Sequence, residues 1–200
     1  MKHTSNKRPG VVVGSAATGL QDASWAVSKA HARAGAKGEH QTARVLNQLA
    51  RTSGGPGVLH DVKIPGAHAN VDHVVVAGNK VFLIDSKVWR AGFYWSFLGA
   101  PLRGSKSFPH AKTTTLEFAQ DRLKTVLEQA GVDGVEFATP ILAVWQSASR
   151  GKLSLWALRL PGGKVKHGRK VVSRAMFANP NPLIVSVLSK YVASFRGAES

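Results

Sequence analysis

The sequence predicts a single α/β domain built on a mixed sheet. Three observations predict it. Segments of helical and strand periodicity follow one another as helix, three strands, helix, two strands, helix. The central strand pair, residues 71–86, is apolar on both faces, so its sheet should be covered on both sides. A chain of 200 residues at 44% hydrophobic content is long enough for one core of ordinary size.

The elements follow in order. Residues 1–20 are basic and Gly-containing and are expected as a flexible basic arm, with the single domain running over 21–200. Residues 21–34 read as a short helix interrupted by Gly35. Residues 36–51 read as a second helix, with Ala43, Leu46, Leu49 and Ala50 at helical spacing and Glu39 on the same inward stripe. The breakers of "SGGPG" end it. Residues 58–64 read as a strand and "PGAHAN" as a turn. Residues 71–76 and 81–86 are rich in β-branched side chains, and Gly78-Asn79 between them signals a hairpin. Residues 88–110, rich in aromatic, glycine and basic residues, read as a partly extended excursion. Residues 111–131 carry Leu116, Ala119, Leu123, Val126, Leu127 and Ala130 on one helical face, with Gly131 at the end. Residues 140–146 and 152–158 read as strands, 150–174 as a basic segment, and about 182–195 as a closing amphipathic helix.

Charge narrows the function. There are 27 Lys and Arg against 11 Asp and Glu, a net charge of +16. That excess favours a polyanionic partner, DNA first; RNA or an anionic membrane surface rests on charge alone. No run approaches the ~20 apolar residues of a membrane span, so no membrane partner is expected. The chain has no cysteine, which excludes disulfides and thiolate zinc sites and fits a reducing cytoplasm, the expected location.

The acids are few and unevenly placed. Between Ala23 and Leu116 only Glu39, Asp61, Asp72 and Asp85 are acidic, and none occurs from Phe137 to Ala198. Asp72 and Asp85 fall inside the apolar hairpin. If Ala77 pairs with Lys80 across the turn, Asp72 lies opposite Asp85. One face then reads Asp72, Val74, Val76, Val81, Leu83, Asp85, Lys87 and the other Val71, His73, Val75, Phe82, Ile84, Ser86. Like charges opposed at ~5 Å are destabilising. A divalent cation held by oxygen ligands would neutralise them, with help from Lys87. His73, on the opposite face, is expected as a hydrogen-bonded core residue.

Three stretches, "GAKGE" (35–39), "NVDHVVV" (70–76) and "VFLIDSKVW" (81–89), in this order and spacing, resemble the nuclease-related domain, NERD, of the PD-(D/E)xK nuclease superfamily. The resemblance is direct over about 34–89 and extends in element order to roughly residue 160. It implies a restriction-endonuclease-like core, a mixed central sheet flanked by helices. It also implies Mg²⁺ (or Mn²⁺) held by Asp72 and Asp85, Lys87 assisting the attacking water, and Glu39 completing the site. Val71-Asp72 stands where the superfamily pattern has Pro-Asp. Some branches add a Gln or Lys from the later helix, which leaves Gln120 and Lys112 both open.

The residues suit this chemistry by themselves. Mg²⁺ takes hard oxygen ligands, and Asp72, Asp85 and the backbone carbonyl of Ser86 could supply three. Glu39 could bind the metal or orient one of its waters, and Lys87 could contact the phosphate. The plain alternatives are an ordinary Lys87–Asp85 ion pair and a helix-dipole role for Glu39. Arg90, Arg103, Lys106 and Lys112, interleaved with aromatics, and Lys164, Lys166, Arg169 and Lys170, in a basic loop, are the expected DNA contacts. No base-reading helix is evident, so little sequence specificity is expected. The function expected is a Mg²⁺-dependent deoxyribonuclease. The alternatives are a structure-selective, junction-resolvase-like endonuclease, which leaves a homodimer open, and a non-catalytic DNA-binding protein on the same fold.

Overall fold

The computed structural model describes residues 8–17 and 29–193. Its elements are β1 (Val12–Val13), α1 (Lys29–Ala50), β2 (Gly57–Lys63), β3 (Asn70–Ala77), β4 (Lys80–Trp89), β5 (Gly92–Phe97), β6 (Ala100–Arg103), β7 (Lys106–Ser107), α2 (Thr114–Gln129), β8 (Glu136–Phe137), β9 (Ile141–Gln146), β10 (Leu153–Ala157), β11 (Lys164–His167) and α3 (Pro182–Ser189). Among the described residues no helix is long and apolar enough to cross a membrane.

The main sheet is mixed and runs β1-β2-β3-β4-β9-β11, with β8 also on β4. β2, β3 and β4 form an antiparallel meander, while β4–β9, β9–β11 and β1–β2 are parallel. The hairpin register is the expected one, from Ala77↔Lys80 to His73↔Ile84. Both faces are covered. Val74, Val76, Val81 and Leu83 join one core with Leu116 and Leu123 of α2 and Ile184 and Leu188 of α3. Val75, Phe82 and Ile84 join a second with Leu46, Leu49 and Ala50 of α1.

Several expectations are corrected. Residues 8–17 are built against the domain: Val12–Val13 add a parallel strand to β2, and Gly10 N–H donates to Ala50 C=O at 2.7 Å. α1 passes through Gly35 without a break; residues 21–28 of the expected first helix lie outside the described residues. A helical glycine costs only about 1 kcal/mol against alanine, which tertiary packing outweighs here. Val71 packs in the first core, beside Val62 and Val74, rather than behind the sheet with His73. Asp61 adopts φ +56°, and this left-handed residue interrupts the alternation of β2 against β3.

The excursion 88–110 is a meander, β5-β6-β7. β10 joins β5 in parallel, making a second, four-stranded sheet. Within 150–174, Lys164–His167 form an edge strand on β9 rather than a loop, because Val165 packs against the first core while Lys164 stays exposed. The last helix is shorter than expected. Asn181 caps it by accepting from Leu183 N–H at 2.9 Å, Pro182 follows at its first position, and residues 194–195 lie outside the described residues.

Candidate active site

The site lies where β3 and β4 part. The paired residues of the two strands end at His73↔Ile84. Beyond that pair the Asp72 carboxylate accepts the Ser86 backbone N–H at 2.6 Å, in place of a strand-to-strand bond. The other edge of β4 stays paired, with Asp85↔Leu142, Ser86↔Ala143 and Lys87↔Val144. Asp72, Asp85 and Lys87 are thus carried on rigid backbone at an opening of the sheet.

α1 closes on this opening through small residues. Gly38 is buried, and a Cβ there would lie 2.7 Å from Val88 Cγ2. One turn on, Thr42 Oγ1 accepts from Ser86 Oγ at 2.7 Å and from Trp145 Nε1 at 2.8 Å, and donates to Gly38 C=O at 3.1 Å. These contacts pin α1 to β4 and β9. Glu39, next to Gly38, then lies within electrostatic reach of Asp85 and Lys87.

Several charges meet at this opening. Burial, then Asp61 and Asp85, push Glu39 up to about 7; Lys87 and the Ala17 backbone N–H act the other way. Burial, then Asp85 and Glu39, hold Asp72 well above the usual carboxylate range. Burial opposes the charge on Lys87, but Asp85 and Asp72 outweigh it and raise its pKa. Lys87 Nζ lies 2.6 Å from Asp85 Oδ2. That oxygen is buried and receives no hydrogen bond of ordinary geometry, so the contact is an ion pair of poor angle.

The donor set fits a hard divalent cation: the Asp85 charge raises the pKa of both Glu39 and Asp72, and its buried Oδ2 is held by Lys87. The ligands are not gathered as a finished cage. Among the described residues no three His, Asp or Glu side chains converge as around a metal, and Lys87 holds one of the Asp85 oxygens.

Asp61 is a neighbour that the sequence pattern did not assign. It is buried, its carboxylate accepts from Asn70 Nδ2 at 2.6 Å, and it is the largest charge influence on Glu39. Its signal was present: it is one of four acids in an acid-poor stretch, set between apolar strand residues. Behind the acids runs a buried polar chain. His60 and His73 face each other across β2 and β3, Nδ1 to Nδ1 at 2.8 Å; His60 Nε2 meets Asn47 Oδ1 at 2.8 Å and His73 Nε2 meets Ser86 Oγ at 3.1 Å. His73 is the hydrogen-bonded core residue expected.

The basic candidates divide. Arg90, Lys106, Lys112, Lys164, Arg169 and Lys170 are exposed. Arg103 spends its guanidinium on Ala91 C=O at 2.7 Å and on the Tyr94 ring at 5.9 Å. Lys166 is partly buried, with Nζ 3.4 Å from Val171 C=O. Neither Gln120 nor Lys112 figures among the groups acting on Glu39, Asp72 or Lys87.

A mixed sheet with helices on both faces, and acids and a lysine at the open end of its central hairpin, defines an α/β protein with a restriction-endonuclease-like core. The family model described as the nuclease-related domain, NERD, matches residues 34–134, and the chain belongs to that family. No curated protein and no solved structure matches the chain. Membership makes the protein nuclease-related, in the general setting of the PD-(D/E)xK superfamily.

Proposed function

We propose that the protein is a metal-dependent nuclease that hydrolyses DNA phosphodiester bonds with little sequence specificity. The observation that carries this reading is the cluster of Glu39, Asp72 and Asp85, in which the Asp85 charge acts on both other acids, set beside Lys87 where the hairpin opens. Isolated carboxylates are not kept this close without a charge to oppose them. Asp72, Asp85 and the Ser86 carbonyl, with Glu39, would hold Mg²⁺ or Mn²⁺, which when bound supplies charge neutralisation at the phosphate and activation of the attacking water. Lys87 then serves as the donor to a phosphate oxygen, where a fixed cation stabilises developing charge. Glu39, with a pKa near neutrality, can take up or orient a proton at its carboxylate. The net charge of +16 supports a polyanionic substrate.

The test is cleavage of supercoiled and linear plasmid by purified protein with Mg²⁺, Mn²⁺ or EDTA, beside Asp85→Asn prepared identically. Metal-dependent cleavage lost in Asp85→Asn is the expected result. DNA binding without cleavage under any metal would leave the non-catalytic reading.

A further inference from the structure

We propose that the small sheet β10-β5-β6-β7 is a binding surface for single-stranded nucleic acid, its bases stacked on an exposed row of aromatic rings. The proposal rests on the nuclease reading, deepening it by naming the substrate as a strand with unstacked bases.

The row is a product of strand alternation. Along β5, Tyr94 points inward and is buried, stacked on Trp89, while Phe93, Trp95 and Phe97 lie on the other face. Trp156 comes beside them from β10. The ring centroids form an unbroken sequence: Trp156 to Phe93 at 6.0 Å, Phe93 to Trp95 at 6.5 Å, Trp95 to Phe97 at 6.1 Å. Trp156 is 74% exposed, Phe97 58% and Phe93 42%. Water-facing aromatics in this number are costly unless something covers them.

The row selects its occupant by spacing and by charge. Stacked bases repeat at ~3.4 Å along a strand. A strand that sets successive bases against rings 6.0–6.5 Å apart must be extended and unstacked, a state open to a single strand and closed to a duplex. Stacking on protein aromatics is indifferent to sequence, because every base has a π-face. Charge agrees: no acid lies between Asp85 and Glu117 or from Phe137 to Ala198, the stretches that build this sheet. Exposed Arg150 and Lys152 lie just before β10, the strand that carries Trp156. The row is also continuous with the active strand, since β5 begins three residues after β4 ends.

The row is positioned rather than loosely displayed. Trp95 Nε1 donates to Gly104 C=O at 2.8 Å, and Ser96 Oγ, on the inner side of β5, accepts the Arg159 N–H at 3.0 Å.

The experiment uses the full chain without divalent metal, so that its result does not depend on cleavage. Fluorescence anisotropy measures the affinity for labelled oligo(dT) and for a duplex of equal length in wild type, Trp156→Ala, Phe97→Ala and the double variant. Both side chains are exposed, and circular dichroism checks that the fold is kept. Each single change should weaken oligo(dT) binding roughly tenfold, with the slope of log K against log salt unchanged and duplex affinity little altered. Wild-type oligo(dT) affinity in the double variant would overturn the proposal. So would equal losses for oligo(dT) and duplex. Binding to phosphatidylserine vesicles that the double variant loses, with oligo(dT) binding intact, would assign the row to a lipid surface instead. The nuclease reading is judged separately, by plasmid cleavage in wild type and Asp85→Asn.

Discussion

The carboxylate of Asp72 accepts the backbone N–H of Ser86, the residue between Asp85 and Lys87, at 2.6 Å. One acid thereby shapes the strand that carries the other. Asp72→Asn keeps an acceptor for that N–H but removes a charge held beside Asp85 and Glu39. The metal-free variant should melt a few degrees higher than wild type near pH 8, since about 1 kcal/mol moves Tm by roughly 2–4 °C in a chain of this size. Mg²⁺ or Mn²⁺ should raise the Tm of wild type and leave the variant unmoved. Calorimetry with and without metal checks both; an equal metal shift in both proteins would take Asp72 out of the ligand set.

Lys87 and Asp85 form one ion pair but should fail differently. Lys87→Ala should lower cleavage by roughly 10²–10³-fold with DNA binding nearly intact, and excess Mn²⁺ should not restore it. Asp85→Asn should lose comparable activity and regain part of it at high Mn²⁺. A metal titration of each variant on plasmid DNA makes the comparison. Wild-type cleavage by Lys87→Ala would reduce that lysine to a structural partner of Asp85.

Gly38→Ala sets two effects against each other. Alanine gains about 1 kcal/mol of helix propensity. Its Cβ would lie 2.7 Å from Val88 Cγ2, on a helix pinned through Thr42, and overpacking of this kind costs about 1–3 kcal/mol. The clash should win, lowering Tm and moving Glu39 away from the hairpin. Thermal melts and cleavage rates read the two consequences. A stabilised, fully active variant would show that α1 can shift without disturbing the site.

Two sets of groups titrate in opposite senses. Burial lowers His60 from 6.5 to about 4 and holds His73 well below its ordinary value. Depressed pKa values in the fold mean that this stability is full above pH 6.5 and is lost as pH falls toward 4 and below. Glu39, raised from 4.5 to about 7, acts the other way: its contribution is lost as pH rises across that interval. Glu39→Gln removes the opposing slope. Its metal-free Tm should therefore drop more steeply than that of wild type on acidification, and be higher at pH 8. Parallel Tm–pH profiles would deny Glu39 its raised pKa.

The edge strand β11 and the turn after it carry three exposed cations, Lys164, Arg169 and Lys170. Changing these to alanine should flatten the slope of log K against log salt by up to about one unit for each phosphate no longer neutralised. Lys166, partly buried and near Val171 C=O, should matter less. An unchanged slope would place the DNA on another face.

Much of the central architecture was legible because local rules determined it. Gly78-Asn79 set the hairpin register as far as His73↔Ile84, and Asp72 and Asp85 are the next residues, where the strands part. The inward stripe of α1 likewise marked Glu39. What escaped depends on neighbours distant in sequence. Gly35 looked like a breaker because nothing local reveals that α1 is held by the sheet. The strand at Lys164–His167 looked like a loop because its lysines hid a pairing with Ile141–Val144. Asp61 takes its left-handed backbone at a point where β2 meets β3, and that irregularity has no signature in a strand-like "VLHDVKI". The aromatics of 88–110 resolved into core and surface only once β5 had a register.

The parallel side of β4 bears on how the family segment could fold alone. The match to the nuclease-related domain ends at residue 134, yet β4 takes its second-edge partners from Glu136–Phe137 and Ile141–Gln146. A fragment cut at residue 134 would leave the strand bearing Asp85 and Lys87 as a bare, apolar border, open to pairing with another copy. The boundary of recognisable ancestry therefore falls inside the cooperative unit. During synthesis, the strand that carries the proposed chemistry waits for its cover until residues beyond that boundary have left the ribosome.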